Sequence, residues 1–181
     1  MQSKRDKFVE VALAEVGTKE GPKNNETKYG AFTKHNFQPW CGSFVMWCAA
    51  QVKAKLPNVV WTPGGVESFK GIGQWSNAES AMPKPGDIVF FDFPGGDKVD
   101  HVGIVVKDNG DGTITSVEGN TVADGKAGSQ SNGGEVCLKI RAYKKKNRKK
   151  LPVYVAGFGS PRWEKMRRSI RKYLKYGASG S

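Results

Sequence analysis

Apolar positions in the first half of the chain repeat at helical spacing. Over residues 4–18 they fall on one helix face, and Gly17 follows where a helix would end. The members of this face are Phe8, Val11, Ala12 and Val16, with Ala14 beside them. A second, largely buried helix is predicted over residues 40–55, ending before Pro57. The segments around it are predicted as loops: residues 19–32, and residues 62–75 with a short helix around residues 66–69.

The pattern changes to short apolar runs separated by turn residues after residue 83, and it predicts five strands. Their approximate extents are residues 83–93, 100–108, 113–122, 133–143 and 151–158. The sequence Asn-Gly-Asp-Gly at 109–112 is typical of a hairpin turn. Helices followed by consecutive strands predict an α+β fold, in which the N-terminal helices pack on one face of an antiparallel sheet.

Composition limits the class of protein. A chain of 181 residues with 38% hydrophobic and 25% charged residues is long enough for one globular domain. No apolar run approaches the roughly 18 residues that span a bilayer. The basic start of the sequence is not followed by the apolar segment of a secretory signal, so we expect none.

Positive charge is concentrated near the C-terminus. Residues 1–138 hold 14 Lys and Arg against 16 Asp and Glu, whereas residues 139–181 hold 15 against one, for a net charge of +12. We therefore predict a catalytic or binding domain over residues 1–158 and a separate basic unit over residues 159–181.

The basic unit is predicted as an amphipathic helix, with Ser160 as its cap and Pro161 in its first turn. One face is apolar: Trp163, Met166, Ile170, Tyr173 and Leu174. The cations cover most of the rest: Arg162, Lys165, Arg167, Arg168, Arg171, Lys172 and Lys175. Such a helix either binds an anionic partner (a membrane surface, teichoic acid or nucleic acid) or packs its apolar face on its own domain.

The three cysteines are too few for a disulfide framework, and their spacing does not suggest a zinc site. A free cysteine is usually a small buried hydrophobe, and Cys48 and Cys137 are predicted to be core residues. Cys41 differs, because Pro39 forces the helix to begin close to it. In the first helical turn the macrodipole favours thiolate over thiol, which makes Cys41 a candidate nucleophile.

A nucleophilic thiol needs a base and a group that orients the base. His101 opens an apolar strand, where rigid backbone would hold its ring, whereas His35 lies in a loop. Glu118 and Asn120 lie two apart on the next predicted strand and so share one face. Each of these residues alone is equally compatible with an ordinary structural role.

Four motifs in order carry a resemblance to a known family: "PWCGSFVMW", "PKPGDIVFF", "DHVGIVV" and "VEGNT". Over about residues 5–157 the chain resembles the CHAP family, the cysteine- and histidine-dependent amidohydrolases and peptidases of bacterial peptidoglycan. The resemblance implies a papain-like fold, with Cys41 as nucleophile, His101 as general base, Glu118 as orienting acid and Asn120 as a nearby polar partner.

Further roles follow from the resemblance. The backbone N–H of Cys41 is expected to stabilise an oxyanion, with Gln38 as the candidate for a second donor. Four residues are candidates for substrate binding: Asn25, Tyr29, Trp40 and Trp75. Trp75 is equally compatible with a core position. The loop before Cys41 has a single acid in "NNETKYG", which argues against bound calcium, so we predict no metal and no cofactor.

The expected function is a monomeric peptidoglycan hydrolase, either an N-acetylmuramoyl-L-alanine amidase or an endopeptidase. A phage endolysin is the favoured setting: a protein made in the host cytoplasm without a signal peptide, reaching the wall through a holin or carried on the virion. The alternative is a CHAP-like binding protein that holds wall polymer or nucleic acid through its basic C-terminal unit.

Overall fold

Four helices precede most of the sheet in the computed structural model, which describes residues 2–95 and 98–163. The helices are α1 (Lys4–Ala14), α2 (Lys28–Thr33), α3 (Cys41–Gln51) and α4 (Thr62–Gly71). The strands are β1 (Trp75–Asn77), β2 (Ile88–Phe91), β3 (His101–Asp108), β4 (Thr113–Thr121), β5 (Glu135–Ala142) and β6 (Val155–Gly159). A 3₁₀ turn, Ala78–Ser80, follows β1. The predicted α+β class is confirmed.

Local signals explain several helix ends. The Ser3 side chain caps α1 by accepting a hydrogen bond from the Asp6 N–H at 3.1 Å. Helix α2 falls inside the segment predicted as a loop, so that prediction was wrong. The missed signal is Thr27, whose hydroxyl accepts a hydrogen bond from the Gly30 N–H at 2.9 Å. Lys34, at φ 64°, ends this helix in the left-handed region.

All strand pairs in the six-stranded sheet are antiparallel, and the strand order is β1-β6-β2-β3-β4-β5. The five predicted strands are present, and β3 and β4 form the predicted hairpin with positive φ at Gly110 and Gly112. Strand β6 crosses back to pair with β2, and the three-residue β1 pairs with its free edge. Neither long-range pairing has a local sequence signal.

Buried apolar side chains cover both faces of the sheet. The helix side includes Phe8, Tyr29, Phe44, Val102, Ile104 and Val117. The other side includes Val89, Phe91, Val105, Ile114, Tyr143 and Phe158. Gly119 of β4 lets α3 approach closely, since a Cβ there would lie 2.8 Å from both Phe44 and Trp40. This contact brings the start of α3 to the sheet.

Only the beginning of the predicted C-terminal helix lies in the described part of the chain. There, Pro161, Arg162 and Trp163 have no assigned helix or strand. The Trp163 ring contacts Phe8 with centroids 4.8 Å apart. Residues 164–181 lie outside the described residues. None of the described helices has the length and apolarity needed to cross a membrane.

Candidate active site

Cys41 is the first residue of α3. Gly42 permits this position, because a Cβ there would lie 2.1 Å from the carbonyl oxygen of Val59. Trp40, the N-cap residue, makes no side-chain capping bond, so it leaves the first N–H groups of the helix without that partner. The predicted helix start is confirmed, and it sets Cys41 at the positive end of the helix dipole.

His101 and Glu118 meet across the β3–β4 pair. The Nε2 atom of His101 lies 3.1 Å from Oε2 of Glu118, and both residues are fully buried. Gly103 makes room for the carboxyl group, since a Cβ at this position would lie 2.7 Å from Cγ of Glu118. An ionised carboxylate only accepts hydrogen bonds, so Nε2 is the donor and the lone pair of the neutral ring is on Nδ1.

Cys41 lies beside the imidazole of His101 and interacts with it. Burial by itself lowers the pKa of His101, but interactions with Cys41 and Glu118 outweigh it and raise that pKa to about 9. Nδ1 makes no hydrogen bond within the ranges described, which leaves it free to exchange a proton with Cys41 or a substrate. Cys41 keeps 4% exposure while His101 and Glu118 have 0%, so a substrate has to approach from the sulfur.

Glu118 receives four hydrogen bonds. Arg141 contributes two, from Nε to Oε1 at 2.9 Å and from Nη2 to Oε2 at 2.6 Å. The Ser116 hydroxyl donates to Oε1 at 2.7 Å, and His101 is the fourth donor. Burial raises the pKa of Glu118, but Arg141 and His101 together lower it to about 2. Glu118 is therefore an ionised carboxylate throughout the neutral range.

Arg141 was missed by the sequence reasoning. Residues 137, 139 and 141 of β5 share a face with Glu118, because Glu118 is paired with Cys137 in the sheet register. An arginine on the same face of the strand next to a buried carboxyl was a usable signal. It required knowing that β5 is the neighbour of β4, which strand patterns suggest but do not fix.

Asn120 lies near this cluster but does not join it. Its φ is 57°, and the β4–β5 register shifts between Glu118 and Thr121. Its side chain donates to Oδ1 of Asn132 at 3.1 Å and accepts from the Gly134 N–H at 3.3 Å. The expectation that Asn120 shares the face of Glu118 assumed a regular strand, and the bulge breaks that alternation.

Tyr29 and Trp40 are fully buried, which corrects their expected role in substrate binding. Their rings stack with centroids 5.2 Å apart, and the Tyr29 hydroxyl donates to Glu15. They support α3 from inside the core. Trp75 lies on the edge strand β1, which two other strands separate from β3, and its ring centroid is 5.5 Å from that of Phe90. The structure thus gives Trp75 a packing position remote from His101.

Asn25 and Gln38 lie in the segment that leads to α3. Asn25 is 4% exposed, at φ 58°, and its carbonyl oxygen accepts from the Phe37 N–H at 3.0 Å. Its side-chain Oδ1 is buried without a partner among the described residues. Gln38 is exposed. Neither residue contacts His101 or Glu118 through a hydrogen bond within the described chain, and their predicted roles stay predictions.

Cys48 and Cys137 are buried free thiols, as expected for core residues. Burial raises the pKa of each. Among residues 2–95 and 98–163, no cluster of three or more His, Cys, Asp or Glu side chains is arranged to hold a metal ion. Arg162 is exposed, and six of the predicted anion-binding residues lie outside the described part: Lys165, Arg167, Arg168, Arg171, Lys172 and Lys175.

Comparisons with known proteins agree with this geometry. Residues 33–120 match the family model described as the CHAP domain. The crystal structure of Ly7917 superimposes with a TM-score of 0.50 and 16% sequence identity, covering 87% of this chain and 62% of that chain. At this identity the likeness concerns the fold, which is papain-like. This chain spans less than two thirds of the length of that structure. No curated protein matches the sequence.

The fold and the site define a papain-like α+β protein with a buried imidazole between a thiol and a carboxylate. Residues 33–120, which contain Cys41, His101 and Glu118, match the CHAP domain model, and this match confirms the resemblance seen in the sequence. The match supports a cysteine- and histidine-dependent amidohydrolase or peptidase in general.

Proposed function

We propose that the protein hydrolyses an amide bond of bacterial peptidoglycan, with Cys41 as nucleophile, His101 as general acid and base, and Glu118 as the residue that orients His101. The observation that carries the proposal is the contact chain from the Cys41 thiol through the His101 ring to the Glu118 carboxylate. These residue types in this order are what thiol acyl transfer requires.

The reaction begins with attack of the Cys41 thiolate on the carbonyl carbon of the substrate amide. The C–N bond breaks as Nδ1–H of the His101 imidazolium gives its proton to the departing amine, which leaves a thioester on Cys41. Neutral His101 then takes a proton from water and the hydroxide attacks the thioester. The C–S bond breaks, and the carboxylic acid product leaves and loses its proton to the solvent. The Cys41 thiolate and the imidazolium are restored.

Stabilisation of the oxyanion is assigned to the N-terminus of α3. The backbone N–H of Cys41 belongs to a helix end that Trp40 does not cap with its side chain. One such donor contributes about 3 kcal/mol to the transition state in related chemistry. Gln38 is proposed as the second donor, because it is exposed and precedes the nucleophile by three residues.

The test is a zymogram on purified peptidoglycan, together with turnover of a soluble muropeptide. Wild type should clear the substrate and Cys41→Ala should not. Cys48→Ala is the matched control, since Cys48 lies on the same helix, is fully buried and is not in the proposed mechanism. Equal clearing by wild type and Cys41→Ala would reject the thiol mechanism.

Mass spectrometry of the digest identifies the bond. A new free amino group on the alanine that is linked to muramic acid means amidase activity, and one within the stem or bridge means endopeptidase activity. Binding of polymer without any new amino group would support the alternative, a binding protein.

A lytic role in phage release is the proposed biological setting. It is supported by the CHAP match and by the 15 cations of residues 139–181, which suit a wall rich in anionic polymer. Expression inside a bacterium should lyse the cells only when a membrane pore is also supplied, and Cys41→Ala should abolish lysis. Lysis by the Cys41→Ala variant would exclude enzymatic wall cleavage as its cause.

A further inference from the structure

The carboxylate of Glu118 is held on both of its oxygens. Oε1 accepts from Ser116 and Arg141, and Oε2 accepts from His101 and Arg141. The guanidinium lies side-on, with two parallel N–H···O bonds, and this geometry fixes the plane of the carboxylate as well as its position. Rotation of the Glu118 carboxyl group would break at least two of these bonds.

Arg141 is itself fixed from two further directions. Its Nη2 donates to Oε1 of Gln130 at 3.0 Å. Its guanidinium carbon lies 5.4 Å from the ring centroid of Phe91 and 5.2 Å from that of Phe93. The same two rings flank the imidazole of His101, with centroids 5.5 and 5.8 Å away. The Arg141 guanidinium and the His101 imidazole therefore both pack against the rings of Phe91 and Phe93.

We propose that Arg141 is a positioning residue of the site, which acts on His101 through Glu118. It does not reach Cys41 or a substrate bound there, because the fully buried Glu118 and His101 lie between. Its role is to lock the carboxylate in the orientation that keeps the Nε2–H bond, and so directs Nδ1 of His101 toward the thiol. This proposal rests on the proposed function.

The charged and titratable groups that face Glu118 come from three elements: His101 on β3, Arg141 and Cys137 on β5, and Cys41 of α3 beyond the imidazole. Without Arg141, the only cation left in contact with Glu118 among these groups is the imidazolium. Burial then raises the pKa of Glu118. Because the Glu118 carboxylate no longer pairs with Arg141, it stabilises the His101 imidazolium more strongly and raises the pKa of His101.

The experiment uses the full chain with Arg141→Met, Arg141→Lys and Lys139→Met. Lys139 is the matched control, because it is a buried cation on the same face of β5, bonded to the Val122 carbonyl oxygen and Asp124 instead of Glu118. Steady-state kinetics on a soluble muropeptide give kcat and KM. NMR titration of the imidazoles gives a second readout, and it is simple because the chain has only two histidines, His35 and His101.

Arg141→Met should lower kcat about 10- to 100-fold with KM changed less than about threefold, as expected for a group that orients a catalytic residue. The alkaline limb of its kcat/KM profile should move to higher pH, and the His101 titration should move up by about one pH unit. Arg141→Lys keeps the positive charge but cannot form the two parallel hydrogen bonds to Glu118. Its His101 titration should therefore stay near that of the wild type, while kcat falls about threefold or more.

Three results would overturn the proposal. One is a folded Arg141→Met with the kcat, pH profile and His101 titration of wild type. Another is a Lys139→Met variant that loses as much kcat as Arg141→Met, since the effect would then belong to the strand. The third applies if Arg141→Met does not fold: a wild-type kcat in Arg141→Lys would then overturn the proposal. The NMR titration does not require hydrolysis. A zymogram without clearing would therefore reject the proposed function, while the effect of Arg141 on the pKa of His101 could still be measured.

Discussion

Replacing Glu118 by glutamine removes one negative charge from the interior and keeps the shape of the side chain. In the wild type the carboxylate accepts bonds from Ser116, His101 and Arg141 and is 0% exposed. Glutamine cannot accept on both of its terminal atoms, and it leaves the Arg141 cation without its anion. Removing one partner of a buried ion pair lowers the free energy of unfolding by about 3–5 kcal/mol at neutral pH.

The pH dependence of this loss follows from the pKa of Glu118, which burial raises but which Arg141 and His101 bring down from 4.5 to about 2. A depressed folded-state pKa contributes stability that is fully present above the unfolded value and is lost as the pH falls through the folded value. At about 1.4 kcal/mol per pH unit the full contribution is about 3 kcal/mol, and roughly 2 kcal/mol of it is gone by pH 3.

Urea unfolding of wild type and Glu118→Gln at about pH 6 and about pH 3 measures this contribution. The free energy difference between the two proteins should narrow by about 2 kcal/mol at the lower pH, because glutamine does not titrate. Thr121→Val is the control: Thr121 is a buried, neutral residue of the same strand, so its difference from wild type should not change with pH.

A difference between wild type and Glu118→Gln that stays constant from pH 6 to pH 3 would refute the assignment of Glu118 as an ionised, paired carboxylate. The loss of activity is a separate measurement. By analogy with the orienting acid of serine hydrolases, Glu118→Gln should lower kcat by about 10³- to 10⁴-fold.

Other regions of the molecule give further predictions. The kcat/KM for a soluble muropeptide should fall as the pH rises through about 9, where His101 loses its proton; a flat profile to pH 10 would contradict this assignment. Gly119→Val should cost about 1–3 kcal/mol in thermal unfolding and should also lower kcat, because its side chain would displace Phe44 and the start of α3. Gly71→Ala, which meets no atom within 4 Å, is the control and should leave kcat unchanged. Removal of residues 164–181 should keep turnover of the soluble substrate and weaken attachment to cells; unchanged, salt-insensitive attachment would reject an adhesive role for this segment.

Local patterns were sufficient for the elements that carry the site. Pro39 and the apolar run after it predicted a helix beginning close to Cys41, and the structure starts α3 at that residue. Alternation and turn residues predicted the strands that hold His101 and Glu118. These predictions succeeded because helix ends and hairpins depend on neighbours within a few residues.

Other features depended on contacts that local patterns do not encode. Tyr29 and Trp40 were predicted to bind substrate, but they are core residues because α2 packs against α3. Asn120 left the face of Glu118 at a bulge, which the regular alternation of the sequence does not reveal. Strand β6 inserted between β1 and β2, a pairing between segments more than sixty residues apart.

The sequence by itself determined which residues have the chemistry: one thiol at a helix start, one histidine at a strand start and one glutamate on the strand beside it. The tertiary structure alone decided that Arg141 would bind the carboxylate and that the imidazole would lie between Glu118 and Cys41. The physical reason is that charge and hydrogen-bond geometry in a buried site depend on distances of a few ångströms between distant parts of the chain. Those distances are set by the packing of α3 on Gly119 and by the register of three strands.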